Sequence, residues 1–430
     1  MPVQPLNPNL LTNRPLFLRI LISIILIITL LNANKILIPM DLSQTDHLKA
    51  YGIAFHTLQR GENVEWLLNF RGGSFMMDYS PKTERECALE GVRWEIIQPA
   101  QILEIYRTIE ENNMETVLLE KAPKIAVYIP DNFEPWDDAV TLALEYAKIP
   151  YDQIWDDDVL KGKLTKYDWL HVHHEDFTGQ YGKFYGAYHN ADWYKQEVKT
   201  NEEMAKRFGF NKVSKLKLAV AKAIKEYIRN GGFVFSMCSA CDTWEIALAA
   251  QFTDICHNVF DYDPFDPQAN RKLDYSQCLA FENFHVILDP MIYEHSDIDV
   301  TIEAQMRGPN TYFSLFDFSA KFDPVPSMLV QNHTALVKEF LGQCSGFKRN
   351  FLKPSVLVLG EVSGTDEIKY LHGNFGKGTF TYLAGHDPED YQHFVGDPPT
   401  ELKNHKNSPG YRLILNNVLF PAARKKELKT

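Results

Sequence analysis

The residue best placed for chemistry in this chain is a cysteine at the end of an apolar run. Residues 231–250 read GGFVFSMCSACDTWEIALAA: two glycines, a buried-strand pattern, then Cys238 and at once a helical pattern. A strand that runs straight into a helix makes a sharp turn. That turn lifts its residue above the sheet edge, and the free N–H groups of the helix start favour a thiolate there. The same position would suit a small buried residue that only fits a tight turn. Cys241 completes a C-x-x-C pair of the kind redox proteins use. It lies about one turn further in and is expected to face the packing side, which leaves Cys238 the more reactive thiol.

Two histidine groups could serve that thiol. His171, His173, His174, Glu175 and Asp176 fall within six residues at the end of the strand pattern YDWLH. Alternation puts His171 and His173 on one face, with His174 and Asp176 opposite. Imidazole and carboxylate are ligands for zinc and similar metals, so a metal hydrolase built on His173, His174 and Asp176 or Glu175 is one reading. The spacing matches no zinc signature, and a polar strand end lining a substrate site without metal is the other reading. The first expectation is therefore no cofactor, with a divalent metal as the alternative. Near the C-terminus a turn and a strand lead to His386, Asp387, Pro388 and Glu389. His386 falls where a general base could meet a thiol, with Glu389 or Asp387 to orient it. Asp261, Asp263 and Asp266 could hold calcium, but the flanking prolines favour a solvated turn.

The elements that must position these groups alternate. Residues 124–129 and 167–171 read as strands, residues 137–148 as a helix, and Val213, Leu216, Val220, Ile224 and Tyr227 mark an amphipathic helix stopped by Gly231 and Gly232. Strands alternating with helices imply a parallel sheet, with ligands at the carboxyl ends of its strands. Residues 177–210 interrupt the rhythm with a run of Tyr, Gly and Trp. They predict a lid or binding loop, with Tyr181 as a substrate contact, or a packed excursion over a sheet edge. Ala122 and Pro123 mark a boundary. Before it, residues 35–40 and 64–70 read as strands, while Leu48, Tyr51, Phe55 and Leu58 recur at helical spacing. The expected organisation is an N-terminal α/β lobe over 34–121 and a larger α/β domain over 122–430.

Composition sets the limits. With 45% hydrophobic and 23% charged residues, the chain can bury a large core. A net charge of −12 without a basic stripe argues against nucleic acid as a partner and leaves a small molecule or a glycan. Arg14 and Arg19 precede the uncharged run 20–31, and Ala33 follows it. That pattern predicts a signal peptide over 1–33, a periplasmic or secreted protein, and no membrane contact after cleavage; an uncleaved anchor is the alternative. Export would permit disulfides, and Cys256 with Cys278 is a candidate pair among the six cysteines.

The order strand, helix, strand, helix, strand–Cys238–helix, strand–His386 resembles the class I glutamine amidotransferase-like superfamily, over residues 122–425. The stretch from Gly376, Lys377 and Gly378 through His386 to residues 410–416 is similar to its ThuA-like branch, associated with sugar utilisation. The resemblance implies a flavodoxin-like, mostly parallel sheet flanked by helices. It implies Cys238 as nucleophile and His386 as base, although the tip is one residue longer than the family's His-Pro-Glu. It also implies a glycine-rich oxyanion loop where this chain has residues 171–176. The whole chain resembles exported Bacteroidota proteins that carry the label asparagine synthetase B. The motifs of that enzyme are not found: Pro2 stands where its catalytic Cys would, and residues 71–75 (RGGSF) do not match its pyrophosphate loop.

Overall fold

The computed structural model describes residues 34–130 and 138–424 of the chain. The expected leader, 1–33, lies outside them. Among the described residues no helix is long and apolar enough to cross a membrane.

The first sheet holds β1 (Lys35–Ile38), β2 (Val64–Leu68), β3 (Ser74–Asp78), β4 (Glu95–Ile97) and β5 (Glu115–Leu119) in the order β4-β1-β3-β2-β5. Every pairing in it is antiparallel. Helix α1 (His47–Gln59) starts where the Asp46 carboxylate accepts the Lys49 N–H, and it buries Leu48, Tyr51, Phe55 and Leu58. Helix α2 (Pro81–Glu90) buries only Thr83 and Cys87, so the apolar pattern does not reveal it. Its caps do: Ser80 with Pro81 at one end and Gly91 at the other. Helix α3 (Pro99–Glu111) completes this part.

The second sheet holds β6 (Ile125–Tyr128), β7 (Asp152–Ile154), β8 (Trp169–Val172), β9 (Phe233–Met237), β10 (Tyr312–Leu315), β11 (Leu336–Lys338), β12 (Phe347–Lys348), β13 (Leu357–Val362), β14 (Glu367–Phe375) and β15 (Gly378–Leu383). Its order is β11-β10-β13-β14-β15-β9-β8-β6-β7, with β12 beside β14. The block β7-β6-β8-β9-β15 pairs in parallel. Strands β10 to β14 pair antiparallel, and β14 joins them to β15. The fold is therefore mixed α/β, and the expectation of a mostly parallel sheet is corrected. The reason lies in the connections. Only Gly376 and Lys377 separate β14 from β15, and a two-residue link permits only an antiparallel return. Gly376 takes φ +63°, and a Cβ there would stand 2.5 Å from the Arg229 carbonyl oxygen.

Helices α4 (Ala139–Tyr146), α5 (Asp156–Leu160), α6 (Tyr185–Tyr188), α7 (Asp192–Arg207), α8 (Val213–Arg229) and α9 (Ala240–Ala249) cover the parallel block, and α10 (Pro409–Leu419) is the last α-helix among the described residues. The five apolar positions of 213–227 all face inward on α8. One core runs through both sheets, joining Tyr51 and Trp66 to Phe235, Leu383 and Leu415. Residues 34–121 thus share a core with the rest of the chain. Backbone bonds add to it: the Glu120 N–H donates to Ala422 O at 2.9 Å, and the Arg424 N–H to Leu118 O at 2.8 Å.

A buried cation ties the two parts. Arg412 of α10, fully buried, donates to the Met40 carbonyl at 3.0 Å, the Gly72 carbonyl at 2.8 Å and the Tyr51 hydroxyl at 3.4 Å. It also lies 3.1 Å from His333 Nδ1. Burial and the Arg412 charge push His333 down to about 3, so its ring nitrogen is an acceptor for the guanidinium. Replacing Arg412 with Met leaves several buried acceptors without donors, each costing about 1–3 kcal/mol. We expect Arg412→Met to lower unfolding stability by about 3 kcal/mol or more, read from urea denaturation.

Acid should destabilise the fold in a defined window. Burial alone pushes His372 down to about 4, where its Nδ1 lies 2.9 Å from the Thr381 hydroxyl. The unfolded chain would take up that proton near pH 6.5. Between about pH 6.5 and 4 the unfolded state binds more protons, so stability falls as pH falls. One such group contributes at most about 1.4 kcal/mol per pH unit. His372→Gln should remove up to that much from the slope of stability against pH in this window. An unchanged slope would contradict the assignment.

Candidate functional site

Three neighbouring parallel strands end at one level. Val172 of β8 pairs with Ser236 of β9, and Leu383 of β15 pairs with Met237. The residues that follow are His173, Cys238 and, after Ala384 and Gly385, His386. Gly385 takes φ +99°, and a Cβ on it would come within 2.5 Å of the Phe340 ring. Only glycine fits that turn into His386.

Cys238 itself takes φ +48°, in the left-handed region that a side chain disfavours. Its N–H donates to Gly385 O at 3.1 Å, and two residues on the Ala240 N–H donates to His173 O at 2.8 Å. Helix α9 starts at once. The thiol is buried, and it accepts the Gln343 N–H at 3.3 Å. Burial pushes the Cys238 thiol up. The His386 imidazole hydrogen-bonded to it and the N–H groups of Gln343 and Ser239 outweigh that, so its pKa lies below the ordinary thiol value.

Behind His386 runs a chain of imidazoles. His386 Nδ1 lies 3.1 Å from His173 Nε2, and His173 Nδ1 lies 3.2 Å from His171 Nε2. His171 Nδ1 donates to the Phe235 carbonyl at 2.9 Å. The Asp138 carboxylate stands 3.4 Å from His171 Nε2 and 3.4 Å from His173 Nδ1. Burial raises the Asp138 pKa, but the two rings hold it well below the carboxylate range. Burial pushes His173 down to about 4 against the pull of Asp138. A neutral His173 beside a carboxylate carries its proton on Nδ1. Its Nε2 then accepts from His386 Nδ1–H.

The thiol faces a cavity of about 210 Å³ lined by Cys238, His386, His174, Gln343, Phe184 and Tyr188, among others. Phe184 and Tyr188 come from the aromatic segment 177–210. A larger cavity, about 1160 Å³, opens at the opposite sheet edge against Gly232, Phe233 and Phe420, where no cysteine lies.

Several expected roles move. Asp387 accepts the Tyr411 hydroxyl on one oxygen at 2.8 Å and the Glu389 N–H on the other at 2.8 Å. Glu389 pairs with His405 at 2.9 Å. Both carboxylates brace the tip; His173 hydrogen-bonds the His386 ring and His393 stacks on it at 4.6 Å. Asp176 accepts N–H bonds from Thr178, Gln180 and Gly182 and the Thr178 hydroxyl, so it folds its own loop. The charged neighbours of Glu175 are Lys217, Glu197, Asp156 and Asp176, outside the cavity, and burial pushes Glu175 up to about 8. Tyr181 is buried edge-on to Tyr194 at 6.1 Å and packs in the core of the insertion. All six cysteines are free, and Cys256 and Cys278 bond instead to the carbonyls of Thr178 and Glu245. Cys241 faces the Leu383 carbonyl at 3.9 Å, and burial pushes its thiol well above the usual value. The ammonium of Lys212 sits within 2.7–3.0 Å of Asp254, Asp261 and Asp263, where calcium was an alternative.

Asp138 and Gln343 have no place in the sequence reading of the site, while Phe184 and Tyr188 lie in the segment 177–210 expected to form a lid or binding loop. For Asp138 a signal existed: an acid before an apolar helical run is an N-cap, and its Oδ1 accepts the Val140 N–H at 2.7 Å. Nothing in the sequence placed it against His171. Among the described residues four groups could hold a metal ion, with one ligand atom per residue all within 4.8 Å, and two of them lie here: His173, Cys238 and His386, and Asp138, His171 and His173.

The strain at Cys238 is measurable. A non-glycine residue in this region costs on the order of 1 kcal/mol. Cys238→Gly should therefore be about 1 kcal/mol more stable to urea than Cys238→Ala, since both remove the thiol and only one keeps a Cβ. Equal stabilities would mean an unstrained turn.

No protein-family profile matches the chain, and no curated protein matches it. Among solved structures it is similar to a cytoplasmic protein of Salmonella typhimurium at 13% identity, over 70% of this chain and 100% of that one, with a TM-score of 0.34. A second cytoplasmic protein, of Salmonella typhimurium LT2, is 12% identical over the same shares with a TM-score of 0.36. A GH42 beta-galactosidase, Gan42B, is 12% identical over 62% of this chain and 28% of that one, with a TM-score of 0.25. At these scores the likenesses carry no argument about chemistry.

Proposed function

We propose that this protein is a thiol hydrolase of the glutamine amidotransferase-like kind, built on a flavodoxin-like arrangement of the five parallel strands and acting outside the cytoplasm on an amide or a sugar-derived acyl compound. The observation that carries the reading is Cys238: a cysteine held at φ +48° between a strand and a helix, with a ring nitrogen of His386 within 4.8 Å of its sulfur. In this reading His386 takes the thiol proton as sulfur attacks the acyl carbon. The N–H groups of Gln343 and Ser239, now directed at sulfur, stabilise the negative charge. His386 returns the proton to the leaving nitrogen or oxygen. Water then attacks the thioester, His386 takes the proton of that water, and the thiol is restored. His173, backed by Asp138 and His171, orients His386 in place of Glu389. Export rests on the basic flank and apolar run of 1–33.

Two other readings remain in contention. The aromatic walls of the cavity, Phe184 and Tyr188, suit a carbohydrate- or peptide-binding protein that performs no reaction. A metal-dependent hydrolase is favoured by the convergence of His173, His386 and Cys238.

A chloroacetamide probe at neutral pH, followed by peptide mass mapping, separates them. We expect Cys238 to be labelled at least tenfold faster than the other five cysteines. We expect His386→Gln to slow its labelling about tenfold and His173→Ala by a smaller factor, with partial recovery in His173→Gln, whose amide oxygen can reach His386 Nδ1–H. Uniform labelling, or none at Cys238 in the metal-free folded protein, would favour the binding protein. Hydrolysis of a panel of chromogenic amides and esters that survives in Cys238→Ser but not after chelation would favour the metal enzyme.

A further inference from the structure

We propose that the thiol site is also a binding site for one zinc ion, held by Cys238, His173 and His386, and that zinc and acyl substrate exclude each other. The proposal rests on the thiol reading of the site and adds a regulating ligand to it.

The donor set is the first argument. One sulfur and two imidazole nitrogens lie within 4.8 Å of one another, and His173 Nε2 and His386 Nδ1 are 3.1 Å apart. Tetrahedral zinc with Zn–S of about 2.3 Å and Zn–N of about 2.0 Å keeps its ligand atoms roughly 3.3–3.6 Å apart. The three atoms need only small side-chain shifts to meet an ion. A cysteine with two histidines is a soft-to-borderline set that suits zinc over calcium or magnesium.

The surroundings are the second argument. A zinc-bound histidine normally gives its other ring nitrogen to a carboxylate, which fixes the tautomer and strengthens the ligand. His173 has that arrangement: its Nδ1 stands 3.4 Å from the Asp138 carboxylate, which itself is braced by the Val140 N–H at 2.7 Å. The alternative group, Asp138 with His171 and His173, is already paired internally and does not reach the cavity. Cys238 and His386 line it, so an ion has a way in and a fourth position for water.

The consequence is exclusion. Zinc takes the thiol as thiolate, so binding releases one proton to solvent. The sulfur lone pair that would attack an acyl carbon then lies on the metal. The thiol becomes unreactive until the ion leaves.

The test uses the purified full chain freed of metal by chelation, with zinc chloride as the probe. Isothermal titration should show one zinc per chain with release of about one proton, seen as a dependence of the heat on the buffer. Chloroacetamide labelling of Cys238 should slow at least tenfold with zinc and recover after a chelator. Cobalt(II) should give a thiolate-to-cobalt charge-transfer band that is absent in Cys238→Ser. His173→Gln should weaken zinc at least tenfold, and Asp138→Asn should weaken it by a smaller factor. Circular dichroism of each variant checks that it has folded. No zinc uptake, or uptake unchanged in both Cys238→Ser and His173→Gln, would overturn the proposal. Fast labelling of Cys238 without metal would still support the thiol reading in that case. Zinc uptake with slow labelling in the metal-free protein would keep the site and remove the thiol reading.

Discussion

The turn at Cys238 is held from both neighbouring strands. Its own N–H reaches Gly385 at the end of β15, and the carbonyl of His173 at the end of β8 receives the Ala240 N–H. Those two bonds contribute about 1 kcal/mol each, enough to offset a backbone strain of similar size. They also fix the level at which three loops leave the sheet. A one-residue slip of β8 or β15 against β9 would turn His173 or His386 to the other face of the sheet. The site therefore depends on parallel register more than on any one side chain.

Polarity follows from the same frame. The Phe235 carbonyl lies inside β9, and it receives the His171 Nδ1–H. Because a carbonyl can only accept, the proton on that nitrogen is set by the backbone. Asp138 sets the next ring, and His173 sets His386. A fixed backbone acceptor and one buried carboxylate thus determine where the last imidazole in the row carries its proton. Glu389 and Asp387 are freed for a different task, bracing the tip through His405 and Tyr411.

The antiparallel sheet at the N-terminus supports this frame from below. Arg412 bridges Met40, Gly72 and Tyr51, and α10 packs against α1, α4 and β11. A guanidinium is well suited to that position because its planar fork serves several carbonyls at once. The aromatic segment contributes from the other side. Tyr181 and Tyr194 anchor it, and Phe184 and Tyr188 reach the cavity.

Local patterns in the sequence were enough for the strand–turn–helix at Cys238, the face of α8, and the grouping of His171, His173 and His386 near strand ends, since each depends on residues within about one turn or one strand. The caps of α2 were equally local, but its sparse apolar positions hid it. What only the tertiary structure decided involves residues far apart. In the antiparallel half of the second sheet, β13, β14 and β15 follow one another through short links, but β10 meets β13 across about forty residues. His173 rather than Glu389 meets His386 because β8 and β15 both flank β9. Asp138 joins the site through the packing of α4, and Tyr181 turns inward because burying an aromatic ring among Tyr194 and Phe260 is favoured over exposing it. Sequence names the groups that can react; the strand register and the packing of α4 decide which of them meet.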